Sequence, residues 1–210
     1  KKTADGSIEV AFSGNRVDVI AANSDETTSG TARVLIDGKA PSTFPELYYH
    51  TRTTKGPHVW WPAVNRIDAE KPLVVEKWTM RILECDAPKN ILKFEVEGSV
   101  TGPDGQGEQG KKFVSNSGRV VIEPGMWMIL NSLKYAKKPL PENYTVTWEV
   151  KPLFVDTWQA PRTENAAKEY YTTLAQGLRN GPHTLRLVPN GDGPLPVALV
   201  RAYRPPLADE

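Results

Sequence analysis

Residues 45–62, PELYYHTRTTKGPHVWWP, concentrate the side chains of this chain that could bind a ligand. Two adjacent tryptophans, Trp60 and Trp61, lie between Pro57 and Pro62, which stiffen the backbone around them. Neighbouring residues of an extended chain point to opposite sides, so one indole can enter a core while the other stays at the surface. A rigid, exposed indole offers a flat platform that loses little entropy on binding.

This composition predicts a carbohydrate site for a polysaccharide or oligosaccharide. A pyranose has an apolar face of C–H bonds that can stack on an indole, while its hydroxyl groups need polar partners nearby. The alternative is a long loop that buried aromatic residues hold in place without any ligand. The predicted ligand-binding residues are Tyr48, Tyr49, His50, Arg52, His58, Trp60 and Trp61.

No sequence motif identifies a catalytic residue or a metal site. The nucleophile elbow G-x-S-x-G and the phosphate-binding G-x-x-x-x-G-K-[ST] are both absent. His50 and His58 would share a metal ion only if the chain between them formed a hairpin, and no carboxylate motif accompanies them. His183, in GPHTLRL, is expected to be structural. A hydrolase that combines His50 or His58 with scattered carboxylates stays open as an alternative.

We expect no cofactor, with a structural calcium ion as an open alternative. Three acidic residues in predicted turns could coordinate this ion, although their spacing is not that of an EF-hand: Asp104, Glu108 and Asp192. Cys85 is the only cysteine, which excludes an internal disulfide.

Charge and hydropathy exclude two classes of partner. The net charge is +1, from 26 basic and 25 acidic residues, which argues against a nucleic-acid partner. No run of about 18 apolar residues is present, so no transmembrane helix and no membrane partner are predicted.

Alternation of apolar and polar residues dominates the rest of the chain and predicts about ten strands. ILKFEVEGSV is a clear half-buried strand, and Trp78 and Trp148 are expected in the core. Turns are predicted at Ser13–Asn15 and at Asp37–Gly38, the latter a strong hairpin signal. Short helices are predicted at 125–138 and 163–178.

These elements predict an all-β fold, a jelly-roll-like antiparallel β-sandwich with long loops and one or two short helices. We expect residues 1–210 to form a single domain in which the middle part, 39–160, is atypical and rich in insertions. The Gly-rich segment 98–118 is expected to be a mobile hairpin tip.

The two ends of the chain resemble the jelly-roll accessory modules found beside SGNH (GDSL-type) carbohydrate esterases. The resemblance covers about a third of the chain and leaves 39–160 uncovered. In that pattern Gly181 supplies a turn, and the first and last strands pair. The residues that carry it are Phe12, Gly14, Val17, Asp37, Gly38, Leu178, Gly181, His183, Leu185 and Leu187.

The resemblance implies a non-catalytic module, because the Gly-Asp-Ser block of the SGNH family is absent. We therefore expect a carbohydrate-binding or esterase-accessory module, with a catalytic domain in the parent protein as a partner. We expect the chain to be excised from a longer protein and to work outside the cell or in the periplasm. A structural or protein-interaction domain is the remaining alternative.

Overall fold

The computed structural model describes residues 3–22, 29–162, 165 and 167–206. Within that part of the chain, strands account for 49% of residues and helices for 9%. The sheets are antiparallel, so the architecture is an all-β sandwich, as the sequence predicted. None of the described helices combines the length and the apolar character needed to span a bilayer.

Twelve strands and one α-helix are present among the described residues. The strands are β1 (Ile8–Ala21), β2 (Thr31–Ile36), β3 (Tyr48–His50), β4 (Lys77–Asp86), β5 (Ile91–Gly98), β6 (Gly102–Glu108), β7 (Phe113–Val114), β8 (Val121–Ile122), β9 (Thr145–Pro152), β10 (Thr157–Gln159), β11 (Tyr171–Pro189) and β12 (Val197–Tyr203). The helix is α1 (Ile129–Ala136), and 3-10 turns occupy Pro41–Thr43, Pro45–Leu47 and Pro124–Met126.

The chain forms two compact units, which we call the discontinuous unit and the inserted unit. The discontinuous unit consists of Lys1–Leu47 and Pro152–Glu210, and the inserted unit is Tyr48–Lys151. The inserted unit falls inside the segment 39–160, which was expected to be an atypical part of a single domain. Each unit has its own hydrophobic core.

The discontinuous unit is built on one five-stranded sheet in the order β10-β2-β11-β1-β12. The first and last strands pair, as the resemblance implied. The predicted turn at Ser13–Asn15 is wrong, because β1 continues through it with a register shift between Gly14 and Arg16. A bulge of this kind bends a strand without ending it.

Two further expectations for this unit are corrected by β11. Tyr171–Leu178 was predicted to be helical but is part of this strand, and Gly181 lies within it rather than in a turn. Strand pairing with β1 outweighs the local helix propensity of Tyr171–Leu178. The remainder of the predicted helix includes Thr163, Glu164 and Ala166, which are outside the described residues.

The turn at Asp37–Gly38 is confirmed, and Asp37 of this turn is a hydrogen-bond partner of His183. Asp37 and Gly38 both have positive φ angles, 51° and 78°, as a tight hairpin turn requires. The Asp37 carboxylate bonds Nδ1 of His183 at 2.7 Å and accepts the backbone N–H of Thr184 at 2.8 Å. His183 is therefore a structural residue that ties this turn to β11.

The inserted unit contains a five-stranded sheet in the order β3-β9-β4-β5-β6 and the small β7-β8 pair. Helix α1 replaces the longer helix predicted over 125–138, because Pro124–Met126 forms a separate 3-10 turn. The core of this unit includes Trp78 and Trp148, whose exposed fractions are 0% and 2%. Their assignment to the core is confirmed.

Candidate functional site

The segment that opens the inserted unit is ordered by strand pairing. After β3, the backbone N–H of Thr51 donates to the carbonyl of Glu149 at 2.8 Å, and that of Thr54 donates to Thr147 at 2.9 Å. The hydroxyls of Thr51 and Thr54 accept the return bonds from the backbone N–H groups of Glu149 and Thr147, both at 3.0 Å. Threonine side chains thus extend the pairing with β9 beyond the end of β3.

A tight hairpin follows and presents the two tryptophans. Lys55 and Pro62 form a β-bridge, and the backbone N–H of Gly56 donates to the carbonyl of Trp61 at 2.8 Å. His58 takes a positive φ of 63° at the tip. Gly56 packs so closely on α1 that a Cβ there would lie 3.2 Å from the Ser132 hydroxyl. The predicted loop is thus a hairpin docked on the helix.

The two arms of this segment enclose an open cleft of about 620 Å³. This volume is within the usual range of small-molecule sites. Four of the predicted ligand-binding residues, His50, Arg52, Trp60 and Trp61, line it together. The other lining residues are Thr51, Thr53, Pro62, Val64, Asn65, Arg66 and Ile67.

Trp60 and Trp61 differ in exposure in the way that their adjacency predicts. Trp60 is 75% exposed, whereas Trp61 is partly buried and its Nε1 is shielded from solvent. The two rings meet edge to face with centroids 5.9 Å apart. Trp61 also contacts the ring of Tyr135 on α1 at 5.2 Å. Trp61 therefore anchors the hairpin to the helix, and Trp60 is left free at the surface.

His50 is held by hydrogen bonds to both ring nitrogens. Its Nδ1 accepts a bond from Nε1 of Trp148 at 3.0 Å, and its Nε2 donates to the carbonyl of Arg119 at 2.9 Å. Burial of the ring lowers the pKa of His50, against the smaller opposing effects of the Arg119 carbonyl and of the nearby Asp68 and Glu76 carboxylates. The ring is therefore a neutral, fixed part of the cleft wall and offers neither a free base nor a metal ligand.

The charged side chains of the cleft are arginines. Arg52 is exposed, and its guanidinium forms no hydrogen bond or ion pair with any residue that the structure describes. Arg66 donates from Nε to Asp68 at 2.7 Å. Asp68 does not itself line the cleft.

Three of the predicted ligand-binding residues lie outside the cleft lining. Tyr48 is on the same face of β3 as His50 and packs against the core, while Tyr49 points the other way and is exposed. His58 bonds the carbonyl of Pro139 at 2.8 Å. His50 and His58 thus have separate partners, and the described residues include no group of three or more His, Cys, Asp or Glu that could hold a metal ion.

The three carboxylates named as possible calcium ligands form hydrogen bonds or ion pairs with protein groups. Asp104 accepts the backbone N–H of Ser117 at 2.8 Å and its hydroxyl at 2.7 Å. Asp192 accepts the backbone N–H and hydroxyl of Thr31 at 2.7 and 2.6 Å. Glu108 pairs with Lys111 at 2.8 Å. Each carboxylate therefore fixes a local turn or strand end.

Asn65, Arg66 and Tyr135 were not among the predicted ligand-binding residues. Asn65 and Arg66 follow Pro62 by three and four residues, and the return arm of the hairpin brings them to the cleft. Their proximity could have been inferred had the Lys55–Pro62 bridge been recognised. Tyr135 is 74% exposed on α1 and is distant in sequence, so no local pattern connects it with Trp61.

Comparison of the chain with protein-family models, curated proteins and solved structures gave no match in any of the three. The resemblance of the two chain ends to esterase accessory modules thus remains a hypothesis from the sequence.

Proposed function

We propose that the inserted unit binds carbohydrate in the cleft between residues 50–53 and 60–67, with Trp60 as the stacking platform. The observation that carries this proposal is the exposure of Trp60 on a hairpin that Trp61 and Gly56 fix to α1. An exposed indole on a mobile loop would lose entropy on binding, whereas this one is already positioned.

The polar groups around Trp60 support the same function. The cleft is also lined by Arg52 and Asn65, whose guanidinium and amide groups can form hydrogen bonds with sugar hydroxyls. A pyranose stacked on Trp60 would place its hydroxyl rim against this wall. The module would then hold a polysaccharide for a catalytic domain of the parent protein, outside the cell or in the periplasm.

Two features of the cleft weigh against the hydrolase alternative. Its lining includes no Asp or Glu among the described residues. The one histidine there, His50, uses both nitrogens in hydrogen bonds within the protein. Glycoside cleavage generally requires a pair of carboxyl groups at the scissile bond.

Affinity electrophoresis and a glycan array on the full chain test the proposal. We expect Trp60→Ala to weaken binding of the captured glycan by about 1–3 kcal/mol, by analogy with base stacking on aromatic side chains. Trp60→Phe should retain part of the affinity, and Leu83→Ala, at an exposed apolar residue of β4, should retain all of it. Absence of any bound glycan, or binding that Trp60→Ala leaves unchanged, would overturn the proposal.

A further inference from the structure

We infer that the cleft selects a carboxylated sugar, that is, a glycan containing uronic acid. This inference rests on the proposed function and specifies its substrate class. It is carried by the charge of the cleft wall and by the hydrogen-bonding state of the two arginines in it.

The charged side chains that line the cleft are of one sign. Arg52 and Arg66 both line it, and no carboxylate does so within the described part of the chain. Asp68 lies just outside and offsets one of the two positive charges through Arg66. Arg52 is therefore the one charged lining residue without an ion pair to any described residue, although the whole chain is nearly neutral at +1.

Arg52 carries that uncompensated charge. Some basic side chains of the inserted unit have acidic partners, such as Arg81 with Glu97 at 2.6 Å and Lys93 with Glu84 at 2.7 Å, whereas others, such as Lys55 and Lys137, have none among the described residues. Arg52 also has no such partner among the described residues, and it differs from those lysines because it lines the open cleft. An arginine in this state can bind an anion without first breaking an internal ion pair.

The chemistry of guanidinium favours a carboxylate in particular. Its planar set of N–H donors matches the two oxygens of a carboxylate in a bidentate pair, and such charge-assisted bonds are about twice as strong as neutral ones. Arg66 uses Nε for Asp68, and its terminal nitrogens have no acceptor among the described residues. A uronic acid stacked on Trp60 would combine the apolar ring face with one carboxylate for this arginine pair.

A second concave surface of the unit was a weaker candidate. It is lined by Arg81, Glu95, Glu97 and Gln106, among others. There Arg81 already bonds Glu97 at 2.6 Å and contacts Glu95 at 3.6 Å. The described residues that line this surface include no aromatic side chain, and its arginine is already paired, so the cleft with Trp60 fits the ligand better.

The experiment measures binding of the full chain to three uronic-acid polymers, polygalacturonate, alginate and glucuronoxylan, each beside its carboxyl-reduced form. Reduction removes the charge and keeps the sugar backbone, so each pair isolates the carboxylate. Arg52→Gln is compared with Arg33→Gln, which removes an exposed arginine of β2 in the discontinuous unit. Dextran sulfate and dextran serve as a second pair, and thermal melting confirms that each variant is folded.

We expect at least one acidic polymer to bind about tenfold more tightly than its reduced form, a difference typical of one charge-assisted contact. Arg52→Gln should abolish this difference and Arg33→Gln should not. The inference would be overturned if acidic and reduced forms bound equally well, or if only neutral glycans bound. The proposed function would be retained in both cases, provided that Trp60→Ala abolished the binding. Equal preference for dextran sulfate would show a general polyanion site and also overturn the inference. Failure to bind any glycan would overturn both.

Discussion

Nε1 of Trp148 donates a hydrogen bond to Nδ1 of His50 across 3.0 Å. This bond links the cleft to the core of the inserted unit, because Trp148 also stacks on Trp78 with the two rings 9° from parallel and 6.1 Å apart. It requires Nδ1 of His50 to be unprotonated. The protonation state of one cleft residue is therefore coupled to the packing of the core.

We expect this coupling to make folding stability depend on pH. Burial lowers the pKa of folded His50 below its ordinary value of 6.5, so the unfolded chain binds a proton more readily than the folded chain. The free energy of unfolding should fall as the pH decreases from about 6.5, by about 1.4 kcal/mol for each unit between the unfolded and folded pKa values.

Urea unfolding at pH 7.5 and at pH 5, followed by tryptophan fluorescence, measures this dependence. His50→Gln removes the titrating ring and should show a smaller loss of stability between the two pH values than the wild type. His58→Gln is the matched control at an exposed histidine that does not line the cleft. An identical loss in wild type and His50→Gln would contradict the prediction.

The stacked tryptophans themselves should dominate the stability of the inserted unit. Trp78→Ala and Trp148→Ala each remove a buried indole from a packed core, and we expect each to cost about 3–5 kcal/mol. Chemical denaturation provides the measurement, and Trp60→Ala is the control because it removes an indole that is 75% exposed. A cost below about 1 kcal/mol for either core variant would contradict the assignment.

Substitution of Trp61 should lower the free energy of unfolding more than substitution of Trp60 in the same assay. Its ring joins the hairpin to Tyr135 on α1, so Trp61→Ala should lower the free energy of unfolding by about 1–3 kcal/mol. Trp60→Ala should change it by less than about 0.5 kcal/mol, as is usual for surface substitutions. Both variants are measured by thermal and urea unfolding; equal costs would show that the two indoles share one role.

The all-β class could be predicted from the sequence because alternation is a local signal, clear in residues such as Leu92, Phe94 and Val96. What local signals could not provide was the tertiary context. Tyr171–Leu178 has helix-forming residues upstream of it, yet it pairs with β1 as strand. Arg66 joins the cleft only because Lys55 and Pro62 form a bridge, and the bonds that immobilise His50 come from Trp148 and Arg119, which are far away in sequence.

The paired glycines of β1 and β11 provide the last prediction. Gly14 and Gly181 are direct partners across the two strands, but their surroundings differ. Gly14 has a φ of 148°, and a Cβ there would lie 2.2 Å from the carbonyl oxygen of Tyr203, so the backbone of β12 would have to shift. A Cβ on Gly181 would have no heavy atom within 4 Å, and its φ is not in the positive region.

We therefore expect Gly14→Ala to destabilise the discontinuous unit by at least about 1–3 kcal/mol, since it adds both backbone strain and a collision. Gly181→Ala should be neutral within about 0.5 kcal/mol, or slightly stabilising, because it restricts the unfolded chain without a clash. Urea unfolding of the two variants measures the change in the free energy of unfolding at each position. Similar costs at both positions would contradict both the close approach of β12 to Gly14 and the strain expected from its φ, because these two features distinguish Gly14 from Gly181.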